Sequence, residues 1–286
     1  MLADVDPAAL PGLRVRIDEL ELDRRPLGSL QVLGEAVDGG YAVDNILLRG
    51  EHHSVTGRAA WLRHPDERTE LELDVRSGDM GGLFAGLGYR GVIRDGRGNG
   101  RVALTARSTP FPLAMETLDG EVSLALRDGS LTQVEPGAGR VFGLLSVANL
   151  PRRLTLNFAD VYEEGFAFDR IDAEFSITDG IAETRAFTMA GPSARVDASG
   201  SIDLAGRRYD QRITVLPRAS SALPLLGGVF GGPPGAAAML LAQQVFSEQF
   251  DRVARMQYHL TGSWADPTFE PVVQDQDELV DPLDVQ

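Results

Sequence analysis

The side chains able to do chemistry are few and scattered. The histidines are His52, His53, His64 and His259, and there is no cysteine. A metal site needs convergent ligands backed by a second layer of hydrogen bonds. His52 and His53 are neighbours, and neighbouring strand residues point to opposite faces, so they cannot simply share an ion. All four are read as surface residues. Gly86-Leu-Gly-Tyr-Arg-Gly91 satisfies G-x-G-x-x-G by letter. A dinucleotide site needs a strand before that run and a helix after it. Here a helix is expected before it, and Val92-Ile93-Arg94-Asp95-Gly96 continues as strand and turn. The glycines therefore read as a helix end. No G-x-S-x-G elbow occurs, and carboxylates are too numerous to single out a catalytic pair. Arg152-Arg153 suits either a phosphate headgroup or a solvated edge before a strand. These residues point away from an enzyme: no catalytic group, no metal and no cofactor are expected.

The elements that would carry such residues are strands. Ile171-Asp-Ala-Glu-Phe-Ser-Ile-Thr178 alternates apolar and polar at every step. Glu70–Arg76, Leu13–Asp18 and Leu118–Leu124 do the same. Such segments are half-buried strands with one apolar and one wet face. Asp38-Gly39, Asp95-Gly96, Asp128-Gly129, Asp179-Gly180 and Ala205-Gly206 read as turns between them. The pattern predicts roughly fourteen strands in an antiparallel meander. Residues 27–62 can be laid on 168–203 without a gap, matching Asp38-Gly39, Gly50 and Val55 to Asp179-Gly180, Gly191 and Val196. That register predicts a repeated hairpin unit. Helices are expected over 79–87, with Asp79 as cap, and over 137–148. A last strand is expected over 257–264, then an acidic disordered tail over 274–286.

From Ala219 to Ser247 there is no charged side chain. A membrane-crossing helix needs about 20 apolar residues in a row. Pro224, Gly227-Gly228 and Gly231-Gly232-Pro233-Pro234-Gly235 interrupt this run. It reads as a short apolar piece, a hinge and an amphipathic helix with a stripe of Met239, Ala242, Phe246, Phe250 and Val253. A helical cap over about 219–252 is expected.

Net charge is −15. Nucleic acid is therefore excluded as a partner, since phosphate binding needs clustered Lys and Arg. Anionic headgroups are repelled too, so any lipid contact must be mainly apolar. The lack of cysteine fits an oxidising compartment. Residues 1–10 have no basic, apolar signal sequence, so an exported form is expected to be part of something longer.

Several short segments recur together in a known family. They are Glu135-Pro-Gly-Ala-Gly-Arg-Val-Phe-Gly-Leu-Leu-Ser146, Leu150-Pro-Arg-Arg-Leu-Thr-Leu-Asn-Phe158, Gly165-Phe-Ala-Phe-Asp169 and Gly191-Pro-Ser-Ala-Arg-Val196. Tyr209-Asp-Gln-Arg212, Ser220-Ser-Ala-Leu-Pro224 and Thr261-Gly-Ser-Trp-Ala-Asp-Pro267 complete the set. In this order they resemble the C-terminal region of the YhdP-type AsmA-like proteins of Gram-negative bacteria. The likeness runs from about Leu83 to Pro271; residues 1–70 match only as β-meander.

The resemblance implies a long, twisted antiparallel β-sheet curled into an apolar groove. It implies a periplasmic segment of an inner-membrane-anchored protein that moves phospholipid between inner and outer membranes. This chain would be the outer-membrane-proximal end, a single elongated domain over 1–273. Its partners would be phospholipid acyl chains and the inner leaflet of the outer membrane. Envelope proteins are an alternative, with the chain acting as an assembly factor through its sheet edge and C-terminal helices. The expected groove lining is Leu154, Leu156, Phe158, Phe166, Phe168, Ile171, Phe175, Ile177, Phe187, Met189, Ile213 and Val215. Membrane contact or a groove lid is expected of Leu225, Leu226, Val229, Phe230, Met239 and Leu240.

Overall fold

The structure is a computed structural model, and it describes residues 5–89, 92–131, 166–217 and 255–272. Thirteen strands pair antiparallel in strict sequence order. They are β1 (Leu13–Leu22), β2 (Arg25–Val37), β3 (Gly40–Arg49), β4 (His53–Leu62), β5 (Arg68–Ser77), β6 (Ile93–Ala106) and β7 (Leu118–Leu131). After the undescribed residues 132–165 come β8 (Phe166–Thr178), β9 (Ile181–Ala190), β10 (Ala194–Asp203) and β11 (Arg208–Pro217). The series ends in β12 (Met256–Ser263) and β13 (Pro267–Pro271). The sheet is curled and does not close, with β1 and β13 at its two edges. The expected last strand is β12, and β13 follows it unforeseen: Gly262, at φ 90°, leads into the turn that starts it.

One helix, α1 (Met80–Gly86), lies between β5 and β6. Asp79 caps it as expected, its Oδ1 accepting from the Gly82 amide at 2.8 Å. Met80 and Leu83 are buried with Val92 and Ile93. Arg25 of β2 donates to the Ala85 carbonyl, and Leu27 sits against Gly86. The helix therefore reaches from β6 back to β2, which the curl of the intervening strands allows. At the chain's start, a short 3₁₀ turn (Pro7–Ala9) packs on β2 and β3, held by Arg63 donating to the Val5 carbonyl at 2.6 Å. The helices expected over 137–148 and 219–252, and the tail over 274–286, lie outside the described residues.

The repeated unit is present, strand for strand. Laid on one another, residues 27–62 and 168–203 bring β2, β3 and β4 onto β8, β9 and β10 with the same boundaries. Irregularities coincide as well. In β2–β3, Leu33 pairs Asn45 and Gly34 pairs Val43, leaving Asp44 extra. In β8–β9, Glu174 pairs Ala186 and Phe175 pairs Thr184, leaving Arg185 extra. The Gly50 amide donates to the His53 carbonyl at 2.9 Å, and the Gly191 amide to the Ala194 carbonyl at 3.0 Å. A bulge bends its strand and raises its twist, so the unit carries its share of the curl with it.

Two of the expected turns are not turns. Asp38-Gly39, Asp179-Gly180 and Ala205-Gly206 do join strands, but Asp95-Gly96 lies inside β6 and Asp128-Gly129 inside β7. Asp95 pairs Gly129 across the ladder. Asp95, Gly96 and Asp128 have φ of 58°, 80° and 55°, the left-handed conformation that the dipeptide favours. Used in mid-strand, it shifts the alternation instead of reversing the chain. In β7, Leu118 and Leu126 are buried before it and Leu131 after it. The Phe168 ring fills the gap, with Cζ 2.7 Å from where a Cβ on Gly129 would stand.

Gly120 is the sharpest backbone requirement, with φ 142° inside β7 and the Ala103 carbonyl oxygen 2.1 Å from an added Cβ. Gly100 on the neighbouring strand meets nothing closer than 3.4 Å. Gly120→Ala is expected to cost about 1–3 kcal/mol in urea unfolding. Gly100→Ala should stay within about 1 kcal/mol of the parent.

Candidate functional site: one apolar sheet face

Cross-strand pairing lines the apolar residues up in rows that run across the strands. One row passes through Val15, Val32, Ile46, Gly57, Leu73, Val102, Val122 and Phe175. Beside it, Ile17, Leu30, Leu48, Val55 and Val75 make a second. The opposite face is wet and charged. There Arg58 meets Glu72 at 2.6 Å, Arg127 meets Asp172 at 2.9 Å and Arg195 meets Asp197 at 2.9 Å. Arg58 holds the exposed Glu72 carboxyl below its ordinary range by hydrogen bonding to it. Pairs as exposed as these contribute little to stability; they keep this face in water.

The apolar face is covered unequally. In β1 to β5 its side chains are mostly half-buried, among them Val32, Ile46, Leu48, Val55, Leu71, Leu73 and Val75. From β8 to β12 it is largely out of water. Phe168, Ile171, Ile177, Phe187, Met189, Ile213 and Val215 are all buried, and all belong to one cluster. Phe166 and Phe175 pack against that cluster half-buried. The structure thus brings together nine of the residues singled out from sequence, as the shielded continuation of the face. Leu154, Leu156, Phe158, Leu225, Leu226, Val229, Phe230, Met239 and Leu240 lie outside the described residues, as do Arg152 and Arg153.

Sequence reasoning passed over the half-exposed rows of β1 to β5. Alternation in segments such as Glu70–Arg76 marks their apolar face, but alternation alone does not say how far a face is covered. It also passed over Phe111, which is 74% exposed between Pro110 and Pro112.

The other candidates do not assemble. His52 lies 3.5 Å from Glu51, the His53 ring bonds the Leu27 carbonyl at 3.1 Å, and the His259 ring bonds Asp210 at 2.7 Å. Among the described residues, no three His, Cys, Asp or Glu side chains are placed to share an ion. Gly86 ends α1 and β6 follows it, the reverse of the order a dinucleotide turn needs.

A single open, curled sheet with one apolar face and one charged face defines a β-groove architecture. The chain belongs to the YhdP protein family, whose pattern matches residues 3–269. The match begins well before Leu83, so the meander of β1 to β5 is part of the family region. The chain is 29% identical over 222 residues to the intermembrane phospholipid transporter YhdP of Escherichia coli (strain K12). That alignment covers 77% of this chain and 18% of the relative. No solved structure matches. Among the described residues no helix is long and apolar enough to cross a membrane.

Two measurements follow from the unequal cover. Met189→Ala is expected to cost about 2–5 kcal/mol in urea unfolding, and Leu48→Ala less than half of that. Burial pushes the Tyr209 hydroxyl up to about 12. The folded protein then keeps a proton that the unfolded chain releases near pH 10. That stability is whole below pH 10 and is lost as pH rises towards 12. Between pH 9 and 11 the parent should lose roughly 1 kcal/mol more than Tyr209→Phe.

Proposed function

We propose that this chain forms a stretch of a phospholipid conduit between the inner and outer membranes, and that acyl chains lie along its apolar face. The observation that carries this is the half-exposed face of β1 to β5. Its rows run across successive strands, so they continue from strand to strand as the sheet does. An acyl chain laid there leaves water at about 0.8 kcal/mol per CH₂. Moving along the rows exchanges one apolar contact for a similar one, and no chemical step is required. The relative's description as an intermembrane phospholipid transporter supports the same reading.

The nine placed residues Phe166, Phe168, Ile171, Phe175, Ile177, Phe187, Met189, Ile213 and Val215 continue the lining under cover. Leu154, Leu156 and Phe158 are proposed to extend it. Leu225, Leu226, Val229, Phe230, Met239 and Leu240 are proposed as the lid or membrane contact of the outer-membrane-proximal end. The working place is the periplasm, within one domain over 1–273. An assembly role through the sheet edges finds less support. β13 is five residues long with proline at both ends, and β1 carries Arg14, Arg16, Asp18, Glu19 and Glu21. Short, proline-bearing and charged edges resist added strands.

Photoreactive residues at Leu48, Leu73 and Phe175 test the conduit against one at Arg58 on the wet face. Crosslinks to phospholipid in cells are expected from the first three alone, with phospholipid in organic extracts of the purified chain. Absence of lipid from both would overturn the reading.

A further inference from the structure

The two copies of the repeated unit differ in polarity at the bulge on the apolar face. In the first copy, Val43 pairs Ala59 and Ala59 pairs Leu71. In the second, Thr184 pairs Gly200 and Gly200 pairs Gln211. Thr184 and Gly200 thus stand where Val43 and Ala59 do, and on the next strand, beyond the repeated unit, Gln211 takes the pairing place of Leu71. Gln211 is only 4% exposed, and Thr184 Oγ1 donates to its Oε1 at 3.1 Å. Its Nε2 is buried without a hydrogen-bond partner. Gly200, between the two, is exposed and carries no side chain, at φ 124°.

A buried amide donor left unpaired costs about 1–3 kcal/mol. The first copy holds the same bulge with Val43, Ala59 and Leu71, so the fold does not need polar groups there. We propose that Thr184, Gly200 and Gln211 form a polar station that receives the ester carbonyl of a diacyl lipid, with Gln211 Nε2 as donor. A neutral acceptor fits better than a phosphate. The neighbours on this face are Ile202, Tyr209, Ile213 and Leu260, and no charged side chain stands in these rows among the described residues. At Gly200 an added Cβ would stand 2.3 Å from the Asp210 carbonyl oxygen and 3.0 Å from Gln211 Cα, so the position beside Gln211 is held to glycine. The station rests on the conduit reading and adds to it a place where a lipid is held in register by its glycerol esters.

The test compares two phosphatidylethanolamines with equal chain lengths, one ester-linked and one ether-linked, binding to the purified chain. The parent is expected to favour the ester lipid by about five- to tenfold. Thr184→Val with Gln211→Leu, which restores the first copy's chemistry, should bind both alike with an unchanged or higher urea midpoint. Gln211→Met, which keeps the length and drops the donor, gives the same reading if the double variant folds poorly. Equal binding by the parent overturns the station, and so does an ester preference that survives in the variants. A bound water serving as the partner would give that first result. If the parent takes up neither lipid and Leu48 yields no lipid crosslink, the conduit itself fails instead.

Discussion

Twelve successive strand pairings must all keep their apolar residues on the same face. A slip of one residue at any of them would turn a whole strand's apolar set into water. The bulges are what make this possible for the sequence as it stands. In β3, Ile46 and Leu48 occupy even positions while Tyr41 and Val43 occupy odd ones. The extra residue Asp44 lets both sets face the same way. In β9, Ala182 and Thr184 are brought into line with Phe187 and Met189 by Arg185. The bulge is therefore a correction of phase as well as a bend. Because it recurs at equivalent positions, the unit can be repeated along the sheet without disturbing its neighbours.

Repetition then separates fold from use. Both copies have the same strand lengths, turn positions and bulge, yet one presents a half-exposed face and the other a buried one. What differs is side-chain volume and polarity. Ile46 and Leu48 in the first copy correspond to Phe187 and Met189 in the second. The second copy's residues also belong to the buried cluster that runs from Met80 to Leu260. A common backbone thus serves as open surface in one place and as core in another.

Most of the strands were legible because alternation is a local signal. Ile171–Thr178 and Leu118–Leu124 needed no tertiary information. The repeat was legible too, although so few residues are shared. Asp38-Gly39, Gly50 and Val55, with their counterparts, sit where the backbone turns or the face packs, and the rest is free to drift. Asp95-Gly96 misled for a physical reason. The left-handed conformation that makes Asp-Gly a good turn is also what a strand needs to shift its phase, and only the pairing partner decides between them. The apolar site was half legible. Alternation names the residues on a face, but Val32 and Met189 look alike until neighbouring strands show which is covered.

The uneven cover bears on how a conduit could work. A uniform apolar trough holds a lipid equally well everywhere, so the free-energy profile along it is nearly flat and movement is easy. Such a trough fixes neither the depth nor the orientation of the headgroup. A single hydrogen-bonding amide changes this, because the ester groups lie at one known point of the lipid. Gln211 stands among buried residues, where competition from water is least and the bond is strongest. The half-exposed rows of β1 to β5 through Val32 and Leu48 are aliphatic, and their charged reverse face keeps the open sheet in solution. In such a conduit, easy movement along the first copy and registration beside the second would follow from two side chains, Thr184 and Gln211.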